Sequence, residues 1–178
     1  SHSETNTYAT EILQSLSRAF HKSPHFLPLP AIVDQAVVKE SMMQDRHIKK
    51  VLDLGTHANI AVFTVGEATV DSTLIIAGYF TDEEYHILQE HRPVGDICSR
   101  FFTIDGEICL PHLDQRTIGI ELEELGKKKQ SILVAGGQEK VKGIYGALNG
   151  RFANVLITDQ YTARALIDLD QEGEQNGH

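Results

Sequence analysis

The sequence predicts an α/β fold in which helices alternate with the strands of a mostly parallel sheet. Three observations carry that prediction. The apolar run Ile132-Leu133-Val134-Ala135 is followed at once by Gly136-Gly137, and then by Val141, Ile144, Tyr145 and Leu148 at helical spacing, the pattern of a strand, a tight turn and a helix. A second apolar run, Ile60-Ala61-Val62-Phe63-Thr64-Val65-Gly66, is hydrophobic on both faces and ends in glycine, as buried parallel strands do. A third, Val155-Leu156-Ile157-Thr158, leads into a helix with Asp159 placed as its cap.

The other elements follow in order. Tyr8, Ile12, Leu13, Leu16 and Phe20 recur at helical spacing over residues 6–22, and Ser23-Pro24 ends that pattern. A helix at the start of the chain needs a surface to pack on. His25-Phe26-Leu27-Pro28 has the composition of a short edge strand interrupted by proline. Two helices are predicted over 31–43 and 45–57, the second capped by Asp45 and burying Ile48, Val51 and Leu52. Leu74-Ile75-Ile76 suggests a short strand, and Thr81-Asp82-Glu83-Glu84 has capping-box spacing for a helix to His91. Residues 94–110 contain two apolar stretches around Asp105-Gly106, a hairpin turn signal.

At 178 residues and 41% hydrophobic content the chain is one domain's worth, expected over residues 1–171 with a polar, flexible tail at 172–178. The net charge of −9 repels a phosphate backbone, and the one basic run, Lys127-Lys128-Lys129, directly follows an acidic stretch at Glu121, Glu123 and Glu124. This chain by itself is therefore not expected to grip DNA. No apolar stretch approaches membrane-spanning length and the first residues lack the pattern of a signal peptide, so a cytoplasmic location is expected. Cys98 and Cys109 fit neither a disulfide framework nor a zinc spacing and are expected as reduced core thiols.

A parallel sheet places its ligand at the carboxyl ends of its strands. Three such ends carry useful groups: Thr64, Val65 and Gly66; Gly136 and Gly137 with Lys140; and Thr158 with Asp159. A helix that starts after Gly136-Gly137 points backbone N–H groups and the positive end of its dipole into the crevice, and Lys140 adds a full charge. The same residues also suit an ordinary strand-to-helix connection with a solvated lysine. Asp96, after Gly95 and ahead of Phe101-Phe102, has a neighbourhood that suggests partial burial. Such a carboxylate accepts hydrogen bonds from sugar hydroxyls or works as a base; its alternative role is a turn residue satisfied by its own backbone. Arg100 is placed either to pair with it or to face water. The nine histidines form no HExxH pair and no close cluster with carboxylates, and no P-loop, GxSxG or dinucleotide fingerprint occurs, so neither a metal nor a cofactor is expected.

Four blocks in order carry a resemblance: residues 94–102 (Val94-Gly95-Asp96 through Phe102), Arg116-Thr117-Ile118-Gly119-Ile120, Val134-Ala135-Gly136-Gly137 with Lys140, and residues 154–159 with Thr162-Ala163. Together they resemble the sugar-binding domain of SorC-type bacterial transcriptional regulators, over residues 6–166. The phrases Leu27-Pro28-Leu29-Pro30, residues 57–66 and Ile157-Thr158-Asp159-Gln160 are most similar to family members that respond to deoxyribonucleosides by sensing deoxyribose 5-phosphate.

The resemblance implies a Rossmann-like sheet with helices on both faces, similar to sugar-phosphate isomerases and glucosamine-phosphate deaminases but used for binding. It also implies an effector-binding and oligomerisation domain of a repressor, assembled as a homodimer or homotetramer. By the same resemblance Asp96 contacts ligand hydroxyls, Lys140 contacts a phosphate or the sugar, and Thr64 to Gly66 line the pocket. A full family member also has an N-terminal helix-turn-helix, which contacts DNA, and a first strand with a phosphate loop. Neither has a counterpart in this chain, so its phosphate site is expected to be incomplete. The alternative class is a phosphosugar isomerase or deaminase with Asp96 as general base. It is disfavoured because no histidine or second carboxylate lies near Asp96 in the sequence to complete a proton transfer.

Overall fold

A computed structural model describes residues 4–68 and 80–176. In chain order its elements are α1 (Glu4–Phe20), α2 (Ala36–Gln44), α3 (Arg46–His57), β1 (Ile60–Phe63), α4 (Asp82–Glu90), β2 (Gly95–Ile97), β3 (Arg100–Phe102), α5 (Pro111–Asp114), α6 (Leu122–Gly126), β4 (Gln130–Val134), α7 (Val141–Asn149), β5 (Val155–Ile157) and α8 (Gln160–Asn176). The three predicted strands form a parallel sheet in the order β1-β4-β5, and β2 and β3 form a separate antiparallel hairpin. The expected strand at Leu74-Ile75-Ile76 lies outside the described residues.

Strand register sorts the side chains of the sheet. Phe63, Leu133 and Leu156 are aligned across the three strands, and on their side α7 and α8 supply Val141, Ile144, Ala147 and Leu166 to one core. Ile144 is fully buried there, a position where truncation to alanine typically costs about 2–5 kcal/mol. One residue out of step, Val62, Ile132 and Val155 point to the opposite face. Val62 is 65% exposed and Ile157 53%, and Ile60, Val134 and Val155 are exposed as well. The described helices therefore cover one face of the sheet, which corrects the expectation of helices on both. Runs that are apolar on both faces fit two-sided burial, but burial also needs a covering element. α1 has an apolar stripe of its own at Ile12, Leu16 and Phe20, and that stripe is exposed too.

Several local signals act as expected. The Asp45 carboxylate accepts from the backbone N–H groups of His47 (2.8 Å) and Ile48 (3.1 Å), starting α3. Thr81 and Glu84 form a reciprocal capping box at the start of α4. Other boundaries move. The helix expected over 31–43 begins at Ala36, because Ile32 bridges Thr117 and the Val33 N–H bonds to the Arg116 carbonyl, holding residues 32 and 33 extended. Residues 25–28 form no strand. The tail expected to fray continues α8 as far as Asn176.

The hairpin is tighter than the sequence suggests and lies upstream of the expected turn. Its turn is Cys98-Ser99, with φ of +52° and +67°, between β2 and β3, as a two-residue turn with both central residues left-handed requires. Cys98 is consequently exposed, against the expectation of a core thiol, whereas Cys109 is buried. Asp105-Gly106 does turn the chain, with Gly106 at φ +81°, but only a single bridge, Phe102 to Ile108, follows it.

Candidate functional site

The hairpin and the end of β1 meet at Gly66 and Asp96. Their backbones exchange two hydrogen bonds, Gly66 N–H to the Asp96 carbonyl at 2.8 Å and Asp96 N–H to the Gly66 carbonyl at 3.1 Å. A Cβ on residue 66 would sit 2.1 Å from Asp96 Oδ1, so glycine is what lets the carboxylate occupy the end of β1. The other oxygen, Oδ2, accepts the Ser99 N–H at 3.1 Å and thereby holds the strained turn. Asp96 thus plays both roles that its sequence context allows. One oxygen serves the turn, and the other faces the strand end.

Burial pushes the Asp96 carboxyl up to about 6, against the opposing effects of the Ser99 N–H and of the positive charge on Lys140. Lys140 is half-buried at the start of α7. The structure therefore brings together Asp96, Gly66 and Lys140, from three separate parts of the sequence. Thr64 is exposed just beyond β1, while Val65 is fully buried. A Cβ on Gly95 or Gly143 would fall within 2.9 Å of Val65 Cγ2, so the Val65 side chain packs between the hairpin and α7 and contributes only backbone to the rim.

The glycine turn differs from the expected anion cradle. Gly137 has φ +113°, the left-handed region that favours glycine, and a 3-10 turn, Gln138–Lys140, precedes α7. The Gly137 N–H donates to Thr162 Oγ1 at 2.8 Å, and the Lys140 N–H donates to the Gly137 carbonyl at 3.1 Å. Two of the donors expected to face an anion are thus engaged within the protein. Asp159 Oδ1 accepts the N–H groups of Tyr161 and Thr162, both at 2.9 Å, and Oδ2 accepts the Thr162 hydroxyl at 2.7 Å, which holds its carboxyl below the usual range. Thr162 was the partner the glycine turn needed. Its spacing of three from the cap residue Asp159 is the signal that places it there.

Arg100 neither pairs with Asp96 nor faces water. Its fully buried guanidinium donates to the carbonyls of Ile120 (3.0 Å) and Asp114 (3.2 Å), pairs with the Asp114 carboxylate and lies 2.9 Å from Glu121 Oε1. The hairpin that carries Asp96 is thereby tied to residues 114–121. Arg116 is structural as well, donating to the Asp34 carbonyl at 3.2 Å and pairing with Glu84.

A half-buried carboxylate can accept from the hydroxyls of a small polyol and an ammonium can meet an anionic or carbonyl end, so the arrangement is a candidate site for such a molecule. Known proteins identify the family. A family model for a sugar-binding domain, Sugar-bind, matches residues 1–168. This chain belongs to the sugar-binding domain family of SorC-type transcriptional regulators. The sugar-binding domain is 51% identical over 168 residues to the deoxyribonucleoside regulator of Bacillus subtilis (strain 168), covering 94% of this chain and 53% of the relative. It is 32% identical over 143 residues to the sorbitol operon regulator of Klebsiella pneumoniae, covering 80% of this chain and 45% of that protein. The crystal structure of a transcriptional regulator from Streptococcus pneumoniae TIGR4 is similar in fold, with a TM-score of 0.83 and 28% identity over 89% of this chain and 61% of that one. The chain spans about half the length of these two curated relatives.

Proposed function

We propose that this chain is the effector-binding and oligomerisation domain of a bacterial transcriptional repressor that senses a phosphorylated sugar, deoxyribose 5-phosphate. The observation that carries the reading is the Asp96 carboxylate, raised to about 6 and facing Gly66 within the influence of Lys140. The carboxylate accepts sugar hydroxyls, and the lysine meets the anionic or carbonyl end. The name of the 51% identical relative, a deoxyribonucleoside regulator, supports a ligand from deoxyribonucleoside breakdown. The ligand acts by binding one arrangement of the repressor better than another and so shifting their populations. DNA contact belongs to a helix-turn-helix upstream in the full-length regulator, a division of labour supported by the charge of −9 on this chain. The protein works in the cytoplasm as a homodimer or homotetramer, and the exposed apolar surface at Ile60, Val62 and Ile157 is of a kind that association covers. Calorimetric titration of the full-length regulator, its upstream segment included, with deoxyribose 5-phosphate and with fructose 1,6-bisphosphate tests the ligand. Preference for the first is expected, and equal indifference to both sinks the reading.

One observation favours a second reading, a phosphosugar isomerase or deaminase of related fold. A carboxyl near 6 is suited to general-base catalysis at neutral pH. Against it, the one charged side chain that acts on Asp96 among the described residues is Lys140. Incubation with ribose 5-phosphate or glucosamine 6-phosphate separates the two. Product formed at a rate abolished by Asp96→Asn would establish the enzyme.

A further inference from the structure

We propose that Thr158 is an effector-contacting residue, its hydroxyl completing its hydrogen bonds with a hydroxyl group of the bound sugar and not within the protein. This rests on the effector-binding reading above. Among the described residues, Thr158 Oγ1 is the one buried side-chain polar atom without a hydrogen-bond partner. Buried hydroxyls are nearly always satisfied, so an orphan marks either an energetic cost or a function. Valine has the same branched outline, and packing alone gives no reason for an unpaired hydroxyl at this point.

Its position indicates the function. Thr158 follows directly on β5, at the same end of the sheet as Gly136 after β4 and Gly66 after β1. A Cβ on Gly136 would lie 3.7 Å from Thr158 Oγ1, so the hydroxyl is turned toward the glycine turn of the crevice. Adjacent strands stand about 4.8 Å apart, which puts the ends of β1 and β5 roughly 10 Å from each other. That is the span of a pentose phosphate, so one ligand is long enough to bridge the ends of β1 and β5.

The charge next to Thr158 selects the part of the ligand that meets it. Asp159 Oδ2 lies 2.5 Å from where a Cβ on Gly136 would be. A phosphate beside that carboxylate is repelled, whereas a sugar hydroxyl has a proton to donate. Thr158 therefore reads the hydroxyl end of the sugar, and Lys140 takes the anionic end. The assignment explains how a glycine turn with its Gly137 N–H already engaged by Thr162 still lines a ligand site.

Thr158→Val and Thr158→Ser, made in the full-length regulator, test it, with calorimetric titration of deoxyribose 5-phosphate and of inorganic phosphate alongside thermal melting of the free proteins. Thr158→Val is expected to melt at or above the wild-type temperature, because it removes an unsatisfied group. It is expected to bind deoxyribose 5-phosphate roughly three- to tenfold more weakly, with inorganic phosphate unchanged and Thr158→Ser near wild type. Unaltered sugar binding by Thr158→Val overturns the inference and leaves the effector reading standing. So does a lowered melting temperature, which would reveal a structural partner for the hydroxyl, or an equal loss of phosphate. Failure of the wild-type protein to bind deoxyribose 5-phosphate sinks the effector reading, and this inference with it.

Discussion

Gly66 and Asp96 hold each other in place: two backbone hydrogen bonds join them, and the missing Gly66 side chain leaves the space that Asp96 Oδ1 occupies. The candidate site is thus built from a strand end and a hairpin that are far apart in sequence. Gly66→Ala forces the carboxylate out, since its Cβ would stand 2.1 Å from Oδ1. Displacing Asp96 also releases the Ser99 N–H from the turn. We expect a loss of about 1–3 kcal/mol in stability and a loss of sugar binding larger than that of phosphate binding. Urea denaturation and titration of the same variant check both.

The raised carboxyl of Asp96 makes stability depend on pH. With about 6 in the folded protein against an ordinary 3.8, the folded state keeps a proton that the unfolded chain releases. Asp96 therefore stabilises fully below about 4, and that contribution is lost as pH rises through about 6. Asp96→Asn cannot ionise, so its stability relative to wild type should increase from pH 4 to pH 7.5, by at most about 3 kcal/mol. Urea denaturation of both proteins at the two pH values measures the difference, in which the other carboxylates cancel. A constant difference would show that Asp96 is not held protonated by burial.

Arg100 carries the connection from the hairpin to residues 114–121. Replacing it with leucine leaves the Ile120 carbonyl without its donor, takes one of three donors from the Asp114 carbonyl, and removes the buried cation that the Asp114 and Glu121 carboxylates share, leaving Lys39 near Glu121. A cost of about 3–5 kcal/mol is expected, and Arg100→Lys should recover only part of it because an ammonium lacks the forked geometry. Denaturant midpoints of the two variants test the order.

How much of this was legible in the sequence depended on whether the deciding interaction was local. Asp45, the Thr81–Glu84 box and Asp159 announce helix starts because each caps a backbone within three residues of itself. The partial burial of Asp96 was legible because Gly95 precedes it and the apolar pair Phe101-Phe102 follows, and the place of Lys140 at a strand end because a short apolar run and two glycines lead into it. The hairpin turn was misplaced because Asp105-Gly106 carries the usual turn signal, while Cys98-Ser99 is held left-handed by the Asp96 side chain. Arg100 was undecidable in the sequence because its partners lie 14 to 21 residues away. The open face of the sheet was invisible for a related reason: Val62 and Val155 are apolar whether or not anything covers them.

The division of labour between Asp96 and Lys140 gives the sharpest test of the site. On the proposed function, Lys140 supplies a cation for the anionic or carbonyl end of the ligand, and Asp96 supplies an acceptor for its hydroxyls. Lys140→Ala removes a charge-assisted contact, in general worth about 1.5–3 kcal/mol, so deoxyribose 5-phosphate should bind roughly ten- to a hundredfold more weakly. Inorganic phosphate should weaken with it, because both use the same charge. Asp96→Asn keeps the side-chain outline, and its amide oxygen still accepts from Ser99, but toward the ligand it exchanges an acceptor for a donor. Sugar binding should therefore fall while the response to phosphate or sulfate stays nearly intact. Titration of both variants with both ligands yields four affinities, and the prediction is their pattern. If both substitutions reduce sugar and phosphate in the same proportion, the roles assigned here are wrong. If either variant is unfolded at 25 °C, that residue belongs to the scaffold and the contacts to the sugar lie elsewhere on the rim.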